Sequence, residues 1–99
     1  MAIIYHISTK ENWEKAQQSG FYEHVSLKDE GFIHCSMEHQ VAGVLERYFD
    51  GQSELVKLVI ETEKLKSKYV FDWSASTADT YPHVYGPINT DAVIEAIQL

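Results

Sequence analysis

One nine-residue stretch limits the fold more than any other. Val41, Val44, Leu45, Tyr48 and Phe49 recur at i, i+3, i+4, i+7 and i+8, the spacing of a single apolar stripe along an α-helix. Asp50-Gly51 stops the pattern. The segments around it are short and rich in β-branched residues. "AIIYHIS" near the start suits a buried strand, and "FIHCS" after Gly31 suits a second. In "ELVKLVIET", Leu55, Lys57, Val59 and Glu61 alternate against Val56, Leu58 and Ile60. "KYVFDW" reads as a fourth strand and "PHVYG" as a short fifth, with Pro82 at its start. Helix and strand patterns mixed in this order give an α+β domain.

The remaining segments connect these. Ser8 and Glu11 fit an S-x-x-E capping box, which predicts a first helix with Trp13 and Ala16 inward and Gly20 ending it. "FYEHVSLKDE" reads as an irregular connection and "SASTADTY" as a loop. Ser36 is placed to cap the long helix. The tail "NTDAVIEAIQL" fits two patterns: a helix capped by Asn89 or Thr90, or a strand alternating Val93, Glu95 and Ile97. Its β-branched pair favours the strand.

Ninety-nine residues, 44% of them apolar, build one domain over 1–99 with a modest core. A net charge of -7 argues against a general nucleic-acid or anionic-membrane surface, because binding phosphate needs clustered positive charge. Lys57, Lys64, Lys66 and Lys68 are interleaved with Glu61 and Glu63 and read as a solvated strand and loop. A lone cysteine cannot form an intramolecular disulfide, and no apolar run is long enough to span a bilayer. The start "MAIIYHISTK" lacks the basic residues and cleavage region of a signal peptide. The expected setting is therefore reducing and cytoplasmic.

Strand parity points to a site. Side chains two apart share a face. His6 thus lies with Ser8, His34 with Phe32 and Ser36, and His83 with Tyr85. Each strand pairs a histidine with a hydroxyl two residues on and turns apolar residues away. If the strands are neighbours, His6, His34 and His83 line one polar cleft. His24 and His39 fit no such pattern and read as surface residues. Ser8 and Ser36 read first as helix caps. Parity turns Cys35 away from His34 and towards the apolar Ile33 and Met37, which suits packing better than nucleophilic chemistry. Three imidazoles suit zinc in principle, but no H-x-H or H-x-x-x-H pair supports a metal site. Asn89, after the Gly86-Pro87 turn, suits either a ligand contact or the turn itself. Tyr22 and Ser26, ahead of "GFIHCS", are placed to close over the cleft, Tyr22 as a stacking face.

"IYHI", the Trp and Ala of the first helix, "GFY" followed by "SL", "EGFIHCS" and "PHVYGPIN" together resemble a family of small bacterial and plant proteins. It is known as a domain of unknown function, number nine-five-two. The resemblance runs over nearly the whole chain. It implies an ADP-ribosyltransferase-like fold with split β-sheets, two main helices and a cleft between the sheets. It implies NAD, or an ADP-ribose-like nucleotide, as the ligand. By this resemblance His6 would hold a ribose, while His34 and Ser36 would lie near the nicotinamide. The chain departs from such transferases at "PHVYGPIN", where no glutamate is offered. Arg47, the only arginine, is the one candidate to hold a phosphate by a guanidinium.

The expected site is thus His6, His34 and His83 as proton carriers or ligands, with Tyr22, Ser26, Ser36, Tyr85 and Asn89 binding a small molecule and no metal. The first expectation is a transferase or glycohydrolase acting on NAD-like substrates. The second is a non-catalytic module for a small polar ligand or peptide, and the third a metal-dependent hydrolase.

Overall fold

The computed structural model describes residues 2–99. Among these, β1 (Ile3–Thr9) leads into α1 (Lys10–Ser19), β2 (Phe21–Tyr22), α2 (Val25–Glu30) and β3 (Ile33–His34). Next come α3 (Val41–Tyr48), β4 (Leu55–Glu61), β5 (Tyr69–Ser74), β6 (Asp79–Val84), β7 (Ile88–Asn89) and β8 (Val93–Gln98). The strands form three small antiparallel sheets, ordered β1-β4-β8, β2-β7 and β3-β6-β5. The architecture is α+β. No helix among the described residues is long and apolar enough to cross a membrane.

Strand β4 is central and covered on both faces. Leu58 and Ile60 join Ile4, Ile33, Val84 and Ile88 in the main core, all fully buried. Leu55 joins Ile7 and Val41 in a second cluster on the reverse face. Each such side chain contributes about 1.5–3 kcal/mol by leaving water. The second cluster explains the helical stripe. Val44, Leu45 and Phe49 pack on it, whereas Tyr48 is 61% exposed. Strand β1 is also covered twice, since Ile4 shares the face of His6 and is fully buried. Parity in β1 therefore separates two cores rather than a polar face from an apolar one.

The caps differ from the sequence reading by one residue each. Thr9, not Ser8, caps α1 by accepting from the Asn12 amide at 3.1 Å. Ser8 is a buried strand residue paired with Val56. Met37, not Ser36, precedes a 3-10 turn over Glu38–Gln40 that feeds α3, and the Gln40 amide oxygen accepts from the Met37 amide at 2.8 Å. "FYEHVSLKDE" is not irregular: it holds β2 and α2. His24 caps α2 through Nδ1, and Gly31 closes it at φ 88. The tail is the strand β8.

Strand β6 begins at Asp79, so Pro82 lies inside the central strand of its sheet rather than at its start. The consequence is local and visible. The Cys35 amide donates to the Pro82 carbonyl at 3.0 Å, but proline has no N–H to return the bond. The β3 ladder ends there. One residue later the chain changes partner, and Ser36 exchanges both backbone bonds with Tyr5 of β1, at 2.7 and 2.8 Å. The segment from His34 to Ser36 thereby stitches one sheet to the other.

Candidate functional site

On the β3-β6-β5 sheet, His34 stands directly opposite His83, with ring centroids 5.2 Å apart. Phe32 and Tyr85 share that face, as alternation requires. The Phe32 ring stacks on His83 at 4.1 Å and 16°. Asp72 of β5 accepts from His83 Nδ1 at 2.8 Å, and the Tyr85 hydroxyl donates to the same Oδ2. The bonds from Tyr85 and then His83 hold the Asp72 carboxyl below the usual carboxylate range. His34 has its own acid: Nε2 donates to Glu30 Oε2 at 2.9 Å, from the last turn of α2.

His6 belongs to the wall rather than to this pair. Its Nδ1 donates to the His34 carbonyl at 2.6 Å, and its Nε2 accepts from the Tyr22 hydroxyl at 2.8 Å. Burial pushes the imidazole down to about 4, so it is neutral at pH 7. In this structure neither ring nitrogen is free. Nor is a group of three or more His, Cys, Asp or Glu among the described residues placed to hold a metal ion.

The predicted lid does not form. Tyr22 is 1% exposed, a core residue of β2 whose hydroxyl orients His6, and burial pushes that hydroxyl up to about 12. Ser26 is buried and bonds His24 Nδ1 at 2.9 Å. Asn89, 2% exposed, accepts from the Lys66 amide and donates to the Lys64 carbonyl, at 3.0 and 2.9 Å. It fixes the 64–66 turn. Cys35 is buried in the main core, where desolvation raises its thiol well above the usual range.

The structure does bring His34, His83, Ser36 and the ring of His6 to one cavity of about 570 Å³. That volume suits a small molecule. Several lining residues, His24, Glu30 and Trp73 among them, carry no sequence signal for the role. His24, read as a surface residue, is half-buried with its ring 5.5 Å from His6, and burial and then His34 hold it below the usual imidazole range. Glu30 lines the same wall. From α3 comes Arg47, whose Nη2 donates to the Tyr81 hydroxyl at 3.1 Å. Gly43 leaves the room for it, since a Cβ there would lie 2.9 Å from Arg47 Nη1. Tyr48 and Trp73, 61% and 67% exposed, bound the mouth. Tyr85 lies behind, at Asp72.

Residues 7–96 match the family described as "Protein of unknown function (DUF952)". The chain belongs to that family. The matched range includes "GFIHCS" and "PHVYGPIN", the segments that supply the facing His34 and His83. The chain is similar to protein CC0527 from Caulobacter crescentus, whose crystal structure is 31% identical with a TM-score of 0.84 and matches over 96% of this chain and 83% of that one. The solution NMR structure of CC0527 is 30% identical with a TM-score of 0.80, over 100% and 85% of the two chains. No curated protein matches.

Proposed function

We propose that the cavity binds a phosphate-bearing nucleotide of the NAD or ADP-ribose kind, and that His34 and His83 carry protons in a transfer or hydrolysis on it. The observation that carries this reading is the position of Arg47. The chain's only guanidinium faces the same cavity as two imidazoles that each hold a carboxylate. A guanidinium matches phosphate by charge and shape. Trp73 and Tyr48 offer faces on which a base would stack. Small antiparallel sheets flanking one cleft support an ADP-ribosylation-like fold for this reading, and Glu30 offers the cavity an acid that "PHVYGPIN" lacks. Titrating ADP-ribose and NAD while following histidine, arginine and indole NMR signals tests it. Expected are shifts at Arg47, Trp73, His34 and His83, and about a tenfold or greater loss of affinity in Arg47→Ala. No shift at millimolar ligand overturns it.

A non-catalytic module for the same ligand is the second reading. It is favoured by "PHVYGPIN", which offers no glutamate to stabilise a developing cation. An assay for nicotinamide release separates the two: the module binds NAD and releases none.

A further inference from the structure

The two facing histidines are not equivalent. His34 is exposed, and its acid lies on the helix that ends just before its own strand. His83 is nearly enclosed, with its side chain 11% exposed, and it is fixed from three directions. Asp72 takes Nδ1, Phe32 stacks on one face, and the His34 ring meets it at 78°. Because a carboxylate only accepts, the proton of neutral His83 must sit on Nδ1. Nε2 then carries the lone pair. It has no hydrogen-bond partner among the described residues, and the ring lines the cavity.

We infer that His83 Nε2 is the base of this cleft and that Asp72 is its positioning residue. It takes the proton of a hydroxyl, from water or from an alcohol group of a substrate. The inference rests on the nucleotide reading and deepens it by naming a hydroxyl as the group the site activates. The proton passes from the hydroxyl oxygen to Nε2 and the oxygen keeps the electron pair. The imidazolium that forms lies against the Asp72 carboxylate, which stabilises it without itself taking the proton. Tyr85 gives that carboxylate a second bond and so holds it in place. His34, bonded to Glu30 on the open side, is left as the second proton carrier of the proposed reaction.

The test reads the ring nitrogens of the free protein and then of the protein with ADP-ribose, by nitrogen-15 NMR at a pH where His83 is neutral. In the free protein His83 is expected as the Nδ1–H tautomer, with Nε2 unprotonated. Asp72→Ala removes the only acceptor at Nδ1 and should shift the population towards Nε2–H. Tyr85→Phe keeps the carboxylate and should keep the tautomer. Adding ADP-ribose should move the Nε2 signal of His83 and leave both nitrogens of His6 unmoved. A wild-type His83 protonated at Nε2, or an Asp72→Ala tautomer unchanged from wild type, overturns the inference. Shifts at Arg47 and Trp73 without one at His83 Nε2 overturn the base role and leave the nucleotide reading standing. No response anywhere overturns both.

Discussion

Gly43→Ala should make the protein more stable and its cleft worse. Gly43 lies inside α3, where a residue without a Cβ costs about 0.5–1 kcal/mol relative to alanine. Its backbone is not in the left-handed region that favours glycine. Alanine is therefore free of backbone strain, and its one close contact is Arg47 Nη1 at 2.9 Å. That atom is the far end of a flexible side chain, so the guanidinium moves and the helix does not. The helix term gains about 0.5–1 kcal/mol, offset in part by the loss of the Arg47 bond to Tyr81, so Tm rises by at most about 2–8 °C for a chain this small. The displaced Arg47 gives up its 3.1 Å bond to Tyr81 and its approach to the cavity. A bond from a charged donor is worth about 1.5–3 kcal/mol when sheltered, and less at this exposed position. About a three- to tenfold loss of ADP-ribose affinity should follow. Calorimetric unfolding and a binding titration on the same samples check both halves. A lower Tm would show that Gly43 serves the packing, and unchanged affinity would show that Arg47 is not held by the gap.

Two further predictions concern the buried residues. His6 is neutral in the fold, with its pKa at about 4 against 6.5 in an exposed chain. The unfolded chain therefore binds a proton that the folded one refuses, and the stability His6 contributes is whole above about pH 6.5 and lost as pH falls towards 4. The loss approaches about 3 kcal/mol. Urea unfolding at pH 7 and pH 4.5 should show a smaller drop for His6→Gln than for wild type, and equal drops would sink the assignment. Cys35→Ala should cost about 1–2 kcal/mol by opening a small core cavity and leave ADP-ribose binding intact. A thiol reagent should label wild-type Cys35 only on unfolding; labelling of the native protein, or lost binding in a folded Cys35→Ala, contradicts the packing role.

The strands were readable because each carries its own alternation, and α3 because its apolar positions recur at a helical period. Helix α2 was not, since six residues are too few for a stripe and its cap is a histidine ring rather than a hydroxyl. Parity correctly set His34 and His83 on one face with Phe32 and Tyr85, because that face of the β3-β6-β5 sheet opens to a cavity. It also brings His6 to that cavity, but gives no sign that β1 is covered on both sides, so that the ring enters as a bonded wall. Asp72 left one trace, a lone carboxylate alternating with aromatics in "KYVFDW". Asn89 and Tyr22 looked available because sequence shows a side chain's chemistry and not what has already engaged it. Arg47 needed α3 docked before its reach had meaning.

The proline in β6 has a mechanical consequence. Because Pro82 cannot return a bond to Cys35, the chain is handed from one sheet to the other across a single residue. The two sheets are therefore joined at a point one residue long, and that residue is Cys35, held in the main core. This junction forms the floor of the cavity beneath His34 and Ser36, while the opposite rim is the β5–β6 hairpin, which carries Trp73 and Tyr81 to the end of α3.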